Sequence, residues 1–458
     1  MQIKKVLATV AAASMAIGLA ACSPSASSSA AAEGTDAHKN DSASCQNTIK
    51  KEGVEKVTVW AWYPAIEQIV DQFNETHDDV QVCWNNAGQG GPEYTKFQNA
   101  IKAGKGGPDI IQLEYEAMPQ FVAGAQKHLV DLTKYDFAKY KSEYTEGAWN
   151  GVTIGGGDSV YGVPVDLGPF VMYVNQAVFD KYNVAVPTTW EEFAQAGRDL
   201  KAAGYDGYLS DWAPNGTAVN VALFAQKGAK VYNYSAETPD KVGIDFNSQE
   251  VKDVMDYWRG LVEEGLVDTT DSNTTDWNTN MLSGKYAAYV QASWLGGYLK
   301  GLDGSEQGTF RIAKAPVWDS STPSVNQGGS AWAVTDQAAN TKVAVQVAHD
   351  LFDSDEAQQI GVTTAGLFPA WTKMLESDYF KNLQDPFFGD QKINEVTIPT
   401  AQAYKGDDFL PFQTYAYDTQ SKSFASIVRD GQDTSSTLSA LTNSLNEYAK
   451  QQGFTVTE

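Results

Sequence analysis

The sequence predicts an α/β protein of two lobes, and three observations carry that reading. Strands and helices alternate from the first ordered stretch onward. The chain has 458 residues, more than one hydrophobic core usually serves. A second α/β pattern begins near Tyr161 without a floppy linker before it. Short crossings would then join the lobes and leave a cleft between them.

Val57 to Ala61 (VTVWA) reads as a buried strand. Pro64 follows, and then Ile66, Ile69, Val70 and Phe73 recur at helical spacing. Val80 to Trp84 is a second strand. Gly106-Gly107-Pro108 breaks the chain before a third, Asp109 to Leu113. This alternation predicts a parallel sheet, whose ligands lie beyond the carboxyl ends of its strands. The loops that matter are therefore Trp62-Tyr63, Asn85 to Glu93, and Glu114-Tyr115-Glu116. In the second half, Thr189 and Glu192 have capping-box spacing, and their helix should stop at Gly204. Tyr205 to Leu209 looks strand-like. Val251, Val254, Met255, Trp258, Leu261 and Val262 form the core stripe of a helix ending before Gly265. Further helices cover about 341–352 and about 435–450.

The amino terminus reads as an address. Lys4 and Lys5 precede an apolar run from Val6 to Ala21, too short for a typical spanning helix. It ends Leu19-Ala20-Ala21-Cys22, similar to the lipobox of bacterial lipoproteins, whose cysteine carries the lipid. Residues 1–22 are thus expected as a signal peptide. Residues 23–53 are expected as a tether, since the stretch after Cys22 is rich in Ser and Ala and cannot bury a core. Outside the cytoplasm a disulfide between Cys45 and Cys83 becomes possible.

Composition excludes several classes. A formal charge of −24 argues against nucleic acid, whose binding rests on Lys and Arg at phosphates. It also disfavours an anionic membrane surface, so a neutral or cationic ligand fits better. With no CxxC pair and only four His, neither a zinc motif nor a thiol-redox motif is present. No metal and no cofactor is expected. There is no G-x-S-x-G elbow, Walker A loop or HExxH motif. The one enzymatic alternative is a glycosidase using a pair among Glu114, Glu116 and Asp166. The 12 Trp and 22 Tyr are enough to furnish a stacking surface. Trp294 in AAYVQASWLGG draws notice, because Ala292, Ser293, Gly296 and Gly297 would leave a face of its indole open.

Four stretches then carry a resemblance in order along the chain: GGPDIIQLEYEAMPQF, YGVPVDLGPFVMYVNQAVFDKYNVAVPTTWEEF, AAYVQASWLGG and GGSAWAVT. Together they resemble the extracellular solute-binding protein family 1, the sugar-binding lipoproteins of ATP-binding-cassette importers related to maltose-binding protein. The likeness runs from about residue 54 to about 445. It implies a two-lobed periplasmic-binding-protein-like (type II) fold that closes on a neutral oligosaccharide without catalysis. It also implies permease subunits as partners, a lipid anchor as the only membrane contact, and a monomer. Carried over, lobe one would hold 54–164 plus 316–366, and lobe two 165–315 plus 367–458. Trp294 matches the family's aromatic platform under a sugar ring, and Asp166 a crossing carboxylate that accepts sugar hydroxyls. The resemblance further implies contacts from Glu114 and Tyr115, Trp62 and Tyr63, Asp211 and Trp212, Gly329 and Ser330, and Phe368, Tyr415 and Tyr417. The third-strand loop QLEYEAM lacks the basic residue of maltose-type binders, which points away from maltose itself. A peptide or polyamine receptor is the other binding alternative.

Overall fold

A computed structural model describes residues 45–457. The signal sequence, Cys22 and most of the expected tether lie outside the described residues. Two sheets organise the rest. The first has five strands in the order 80–85, 55–60, 110–114, 330–334 and 163–164. Its three amino-terminal strands run parallel, and Ser330–Val334 runs antiparallel beside Ile110–Glu114. The middle strands are buried without alternation, as expected for a sheet covered on both faces. Ile66–Thr76 lays Ile66, Ile69, Val70 and Phe73 onto the core, which is the stripe its spacing predicts.

The second sheet centres on Phe170–Asn175, flanked antiparallel by Ala288–Ala292 and Phe310–Lys314. Asn394–Ala403 packs on this sheet, whereas Thr217–Gln226, Gln249–Glu263, Gln413–Val428 and Thr434–Gln451 pack on one another, with Trp190 of Trp190–Ala202 against Trp258. The Thr189–Glu192 capping box is formed on both sides. Val251, Val254, Met255, Trp258 and Leu261 are all buried, and Gly265 takes the left-handed conformation (φ 67°). The strand expected at Tyr205–Leu209 forms instead at Ser210–Asp211, where Leu266 to Asp268 supplies the backbone partners.

Three expected boundaries move. Residues 45–53 are not free tether at their start. Cys45 is disulfide-bonded to Cys83, with Cα atoms 5.0 Å apart. Gln46 N–H donates to the Trp84 carbonyl (2.8 Å), and Asn47 exchanges hydrogen bonds with Val82 and Trp84. The segment therefore covers the open edge of the first sheet. Residues 317–325, assigned by the resemblance to lobe one, stay on lobe two. Val317 bridges Thr189, and Trp318 packs on Trp190 with ring centroids 5.6 Å apart. The chain returns at Asn326 to Ser330, where Asn326 pairs with Pro169 and Ser330 joins the first sheet. The third crossing is also later than Leu367. Phe368–Pro369 pairs with Asp166–Leu167, and Trp371 still bridges Tyr144 of lobe one.

Candidate functional site

The crossings bring the chemistry together. Asp166 lies in the first crossing, on the two-residue strand Asp166–Leu167. Its Oδ1 accepts three hydrogen bonds: from Tyr63 Oη (2.9 Å), Ser330 N (2.9 Å) and Ser330 Oγ (2.7 Å). Tyr63 follows the first strand and Ser330 opens the returning one, so three chain segments converge on one oxygen. Burial pushes the Asp166 carboxyl up to about 6, although the Ser330 and Tyr63 donors pull it back. Tyr115 Oη donates to the Asp166 carbonyl at 3.1 Å.

The strand Ile110–Glu114 ends in a turn that presents two more carboxylates. Tyr94 Oη donates to Glu114 Oε2 (2.8 Å). Tyr417 Oη, from the helix Gln413–Val428 of lobe two, donates to Glu116 Oε2 (2.9 Å). Burial raises both carboxyls. Glu116 reaches about 8, with the neighbouring Glu114 charge adding to the rise and Tyr417 offsetting part of it. At neutral pH a carboxyl so placed keeps its proton and can donate as well as accept. Trp62 stands beside this group, half-buried, edge-on to Tyr94 at 5.8 Å.

Trp294 is half-buried, and its indole N–H donates to the Gln327 carbonyl at 3.0 Å. Two glycines distant in the chain come close to its indole. A Cβ at Gly168 would sit 2.9 Å from Trp294 Cδ1, and one at Gly328 would sit 3.3 Å from Nε1. Gly296 serves another purpose, since a Cβ there would meet Phe388 at 2.7 Å. Gly328 and Gly329 both have positive φ (80° and 88°), which a side chain would strain. A Cβ at Gly329 would also strike the Asp166 carbonyl, 2.6 Å away. The Ser330 N–H expected to meet a ligand is already engaged by Asp166.

Other expected residues fall outside this group. Asp211 and Trp212 are 3% exposed, inside lobe two. Asp211 Oδ1 accepts from Thr270 N (2.9 Å), and Trp212 Nε1 donates to Asn220 Oδ1 (2.8 Å). Tyr415 points away from Tyr417, stacked on Tyr448 with centroids 3.5 Å apart. Phe368 is buried against Phe380 and lines a hollow of about 280 Å³ with Ser293, Gly297 and Phe388. Conversely, Tyr94 and Glu116 belong to the group, although the resemblance did not nominate them as contacts. Glu116 sits in a loop the strand order had marked. Nothing local distinguishes Tyr94 from a core aromatic.

The sequence pattern of the bacterial extracellular solute-binding proteins matches residues 68–387. The chain is 24% identical over 362 residues to the lactose-binding protein of Rhizobium radiobacter, covering 74% of this chain and 80% of that one. Among solved structures, it resembles an ABC-transporter-associated binding protein of B. animalis subsp. lactis Bl-04 in complex with β-1,6-galactobiose. That likeness has a TM-score of 0.74 at 30% identity and covers 88% of this chain and 100% of the other. The galacto-N-biose-/lacto-N-biose I-binding protein of Bifidobacterium longum, in complex with lacto-N-biose, gives a TM-score of 0.74 at 23% identity, covering 89% and 100%.

Proposed function

We propose that this chain, which belongs to the bacterial extracellular solute-binding proteins, captures a neutral oligosaccharide between its lobes and delivers it to the permease of an ATP-binding-cassette importer. The observation that carries the reading is the convergence at the crossings. Carboxylates and tyrosines from lobe one meet Tyr417 from lobe two, with Asp166 at the first crossing. Such a patch suits a ligand with many hydroxyls, because carboxylates accept from them and a protonated Glu116 donates. Trp294 and Trp62 offer apolar faces for the C–H side of a sugar ring. The relatives named for lactose and β-1,6-galactobiose favour a β-galactoside as the first ligand to try.

Binding first to one lobe and then to both favours the closed state, and the closed state docks on the permease. No bond is broken in this scheme, so no residue is assigned to catalysis. Cys22 would carry the lipid that keeps the receptor at the outer face of the membrane, acting as a monomer. Among the described residues, no helix is long and apolar enough to cross a membrane.

Calorimetric titration of the lipid-free chain from Ser23 tests the reading. The panel is β-1,6-galactobiose, lactose, lacto-N-biose and arabino-oligosaccharides, with a polyamine as the charged comparison. One site saturating with a neutral sugar is expected. Binding of the polyamine alone would overturn the proposal. Slow continuing heat with product release would replace the receptor by a glycosidase.

A further inference from the structure

We propose that Glu143, His349 and Asp353 form a site on lobe one for one divalent transition-metal ion of the zinc class. His349 lies in the last turn of the helix Thr341–Asp350, and Asp353 follows it at i+4. Glu143 ends the short helix Phe137–Glu143 and comes from far away in the sequence. One donor atom from each residue lies within 4.8 Å of the other two. His349 Nε2 is 3.3 Å from Asp353 Oδ2 and 3.9 Å from Glu143 Oε2.

Two orphaned atoms point to a ligand. His349 Nε2 is buried with no hydrogen-bond partner. Asp353 has a side chain only 3% exposed, and its Oδ1 is also without a partner. Buried polar atoms of this kind are normally satisfied. The surroundings are built for ligation as well. His349 Nδ1 is 2.8 Å from Asp350 Oδ1, a pairing that orients the ring with Nε2 toward Asp353 and Glu143, where an ion would take the place of a proton. Tyr144 Oη donates to Asp353 Oδ2, and the His349 ring lies 4.0 Å from that of Tyr140. Both contacts hold the donors in place.

Charge supports the same conclusion. Three carboxylates (Glu143, Asp350 and Asp353) surround one imidazole, and among the described residues no Lys or Arg pairs with any of them. A proton on His349 would offset one charge, whereas a dication offsets two. An imidazole with carboxylates suits zinc, cobalt, nickel or manganese; calcium prefers oxygen donors alone. Glu143 is 40% exposed along its side chain, which gives the ion a way in. No motif along the chain announces this site, because its residues meet only through tertiary packing. The ion would clamp Phe137–Glu143 to Thr341–Asp350, one residue from the Tyr144–Trp371 bridge at the third crossing.

The test uses the metal-stripped, lipid-free chain. Zinc is titrated calorimetrically, and cobalt is titrated by its visible absorption. With only four His in the chain, background binding is low. One equivalent of zinc is expected, with a cobalt spectrum of nitrogen and oxygen ligation. Affinity should fall about 100-fold in His349→Ala, at least about tenfold in Glu143→Gln, and about tenfold in Asp350→Asn, whose carboxylate only positions the ring. Absence of saturable binding, or equal affinity in Glu143→Gln and wild type, would overturn the site. If His349→Ala does not fold, the Glu143→Gln titration and the wild-type cobalt spectrum decide the question.

Discussion

At two places an acid ends a strand and an aromatic follows it, and the two places end up unlike. In lobe one, Glu114 ends the strand Ile110–Glu114, and Tyr115 and Glu116 follow it to meet Asp166 and Tyr417 at the crossings. In lobe two, Asp211 ends the strand Ser210–Asp211 and Trp212 follows it, and both are consumed inside the lobe by Thr270 and Asn220. The difference teaches that position after a strand marks a loop, whereas packing decides whether its side chains face a ligand. On the lobe-one side Tyr115 and Glu116 pair with a crossing segment and the other lobe, while Glu114 is held by Tyr94 of its own lobe. On the lobe-two side they come from the adjacent helix and loop, which seal the pair in.

The two tryptophans give the largest contrast. Trp212 fills a core, so Trp212→Ala should cost about 3–5 kcal/mol in denaturant unfolding. Sugar affinity of the protein that still folds should stay within about threefold of wild type. Trp294→Ala should do the reverse. Losing part of a stacked indole face removes about 2 kcal/mol of binding, roughly 30-fold in Kd, with a much smaller change in unfolding. Similar stability losses in both variants, with affinity unchanged, would erase the distinction between a platform and a core ring.

Glu93 sharpens the comparison from within lobe one. It sits in the first turn of Gly91–Ala103, fully buried, and neither carboxyl oxygen has a partner. Burial pushes it up to about 9. Asp166, equally sheltered but hydrogen-bonded, rises only to about 6. The sign follows from proton counting. Between the unfolded value near ~4.3 and about 9, the folded state keeps a proton that the unfolded state releases. Stability therefore falls as pH rises through that window, by about 4 kcal/mol at neutral pH. Glu93→Gln has no proton to lose, so its stability relative to wild type should climb from pH ~5 to ~8. Parallel pH profiles for the two proteins would show that Glu93 carries no such burden.

Much of this architecture is legible in the chain itself, and its limits are physical. Ile66, Ile69, Val70 and Phe73, the Thr189–Glu192 box and the Val251 to Leu261 stripe are local patterns, and local hydrogen bonds or one buried face decide them. Asp166 and Trp294 were nominated by resemblance, and both lie at the crossings. Gly168 and Gly328 also reach Trp294, through the fold and not along the chain, so no local pattern shows them. Tyr415 and Tyr417 are two residues apart on a helix, so they cannot share a face. One reaches Glu116 and the other stacks on Tyr448. The Glu143–His349–Asp353 cluster leaves no mark in the sequence, because Glu143 and His349 meet only after folding.

A last contrast separates the two aspartates. Asp166→Asn keeps an oxygen for Ser330 N and Tyr63, so the crossing should hold its shape. What it loses is the charge that strengthens a hydrogen bond from a sugar hydroxyl, about 2 kcal/mol or roughly 30-fold in Kd. Asp211→Asn removes a carboxylate whose Oδ2 has no partner and whose ionisation burial already opposes. Affinity there should stay within about twofold, and stability within about 1 kcal/mol of wild type. Paired titrations with the same sugar decide the matter. A loss at Asp211 equal to that at Asp166 would mean that lobe two opens its acid to the ligand on closure. The contrast between the lobes would then belong to one conformation and not to the binding surface.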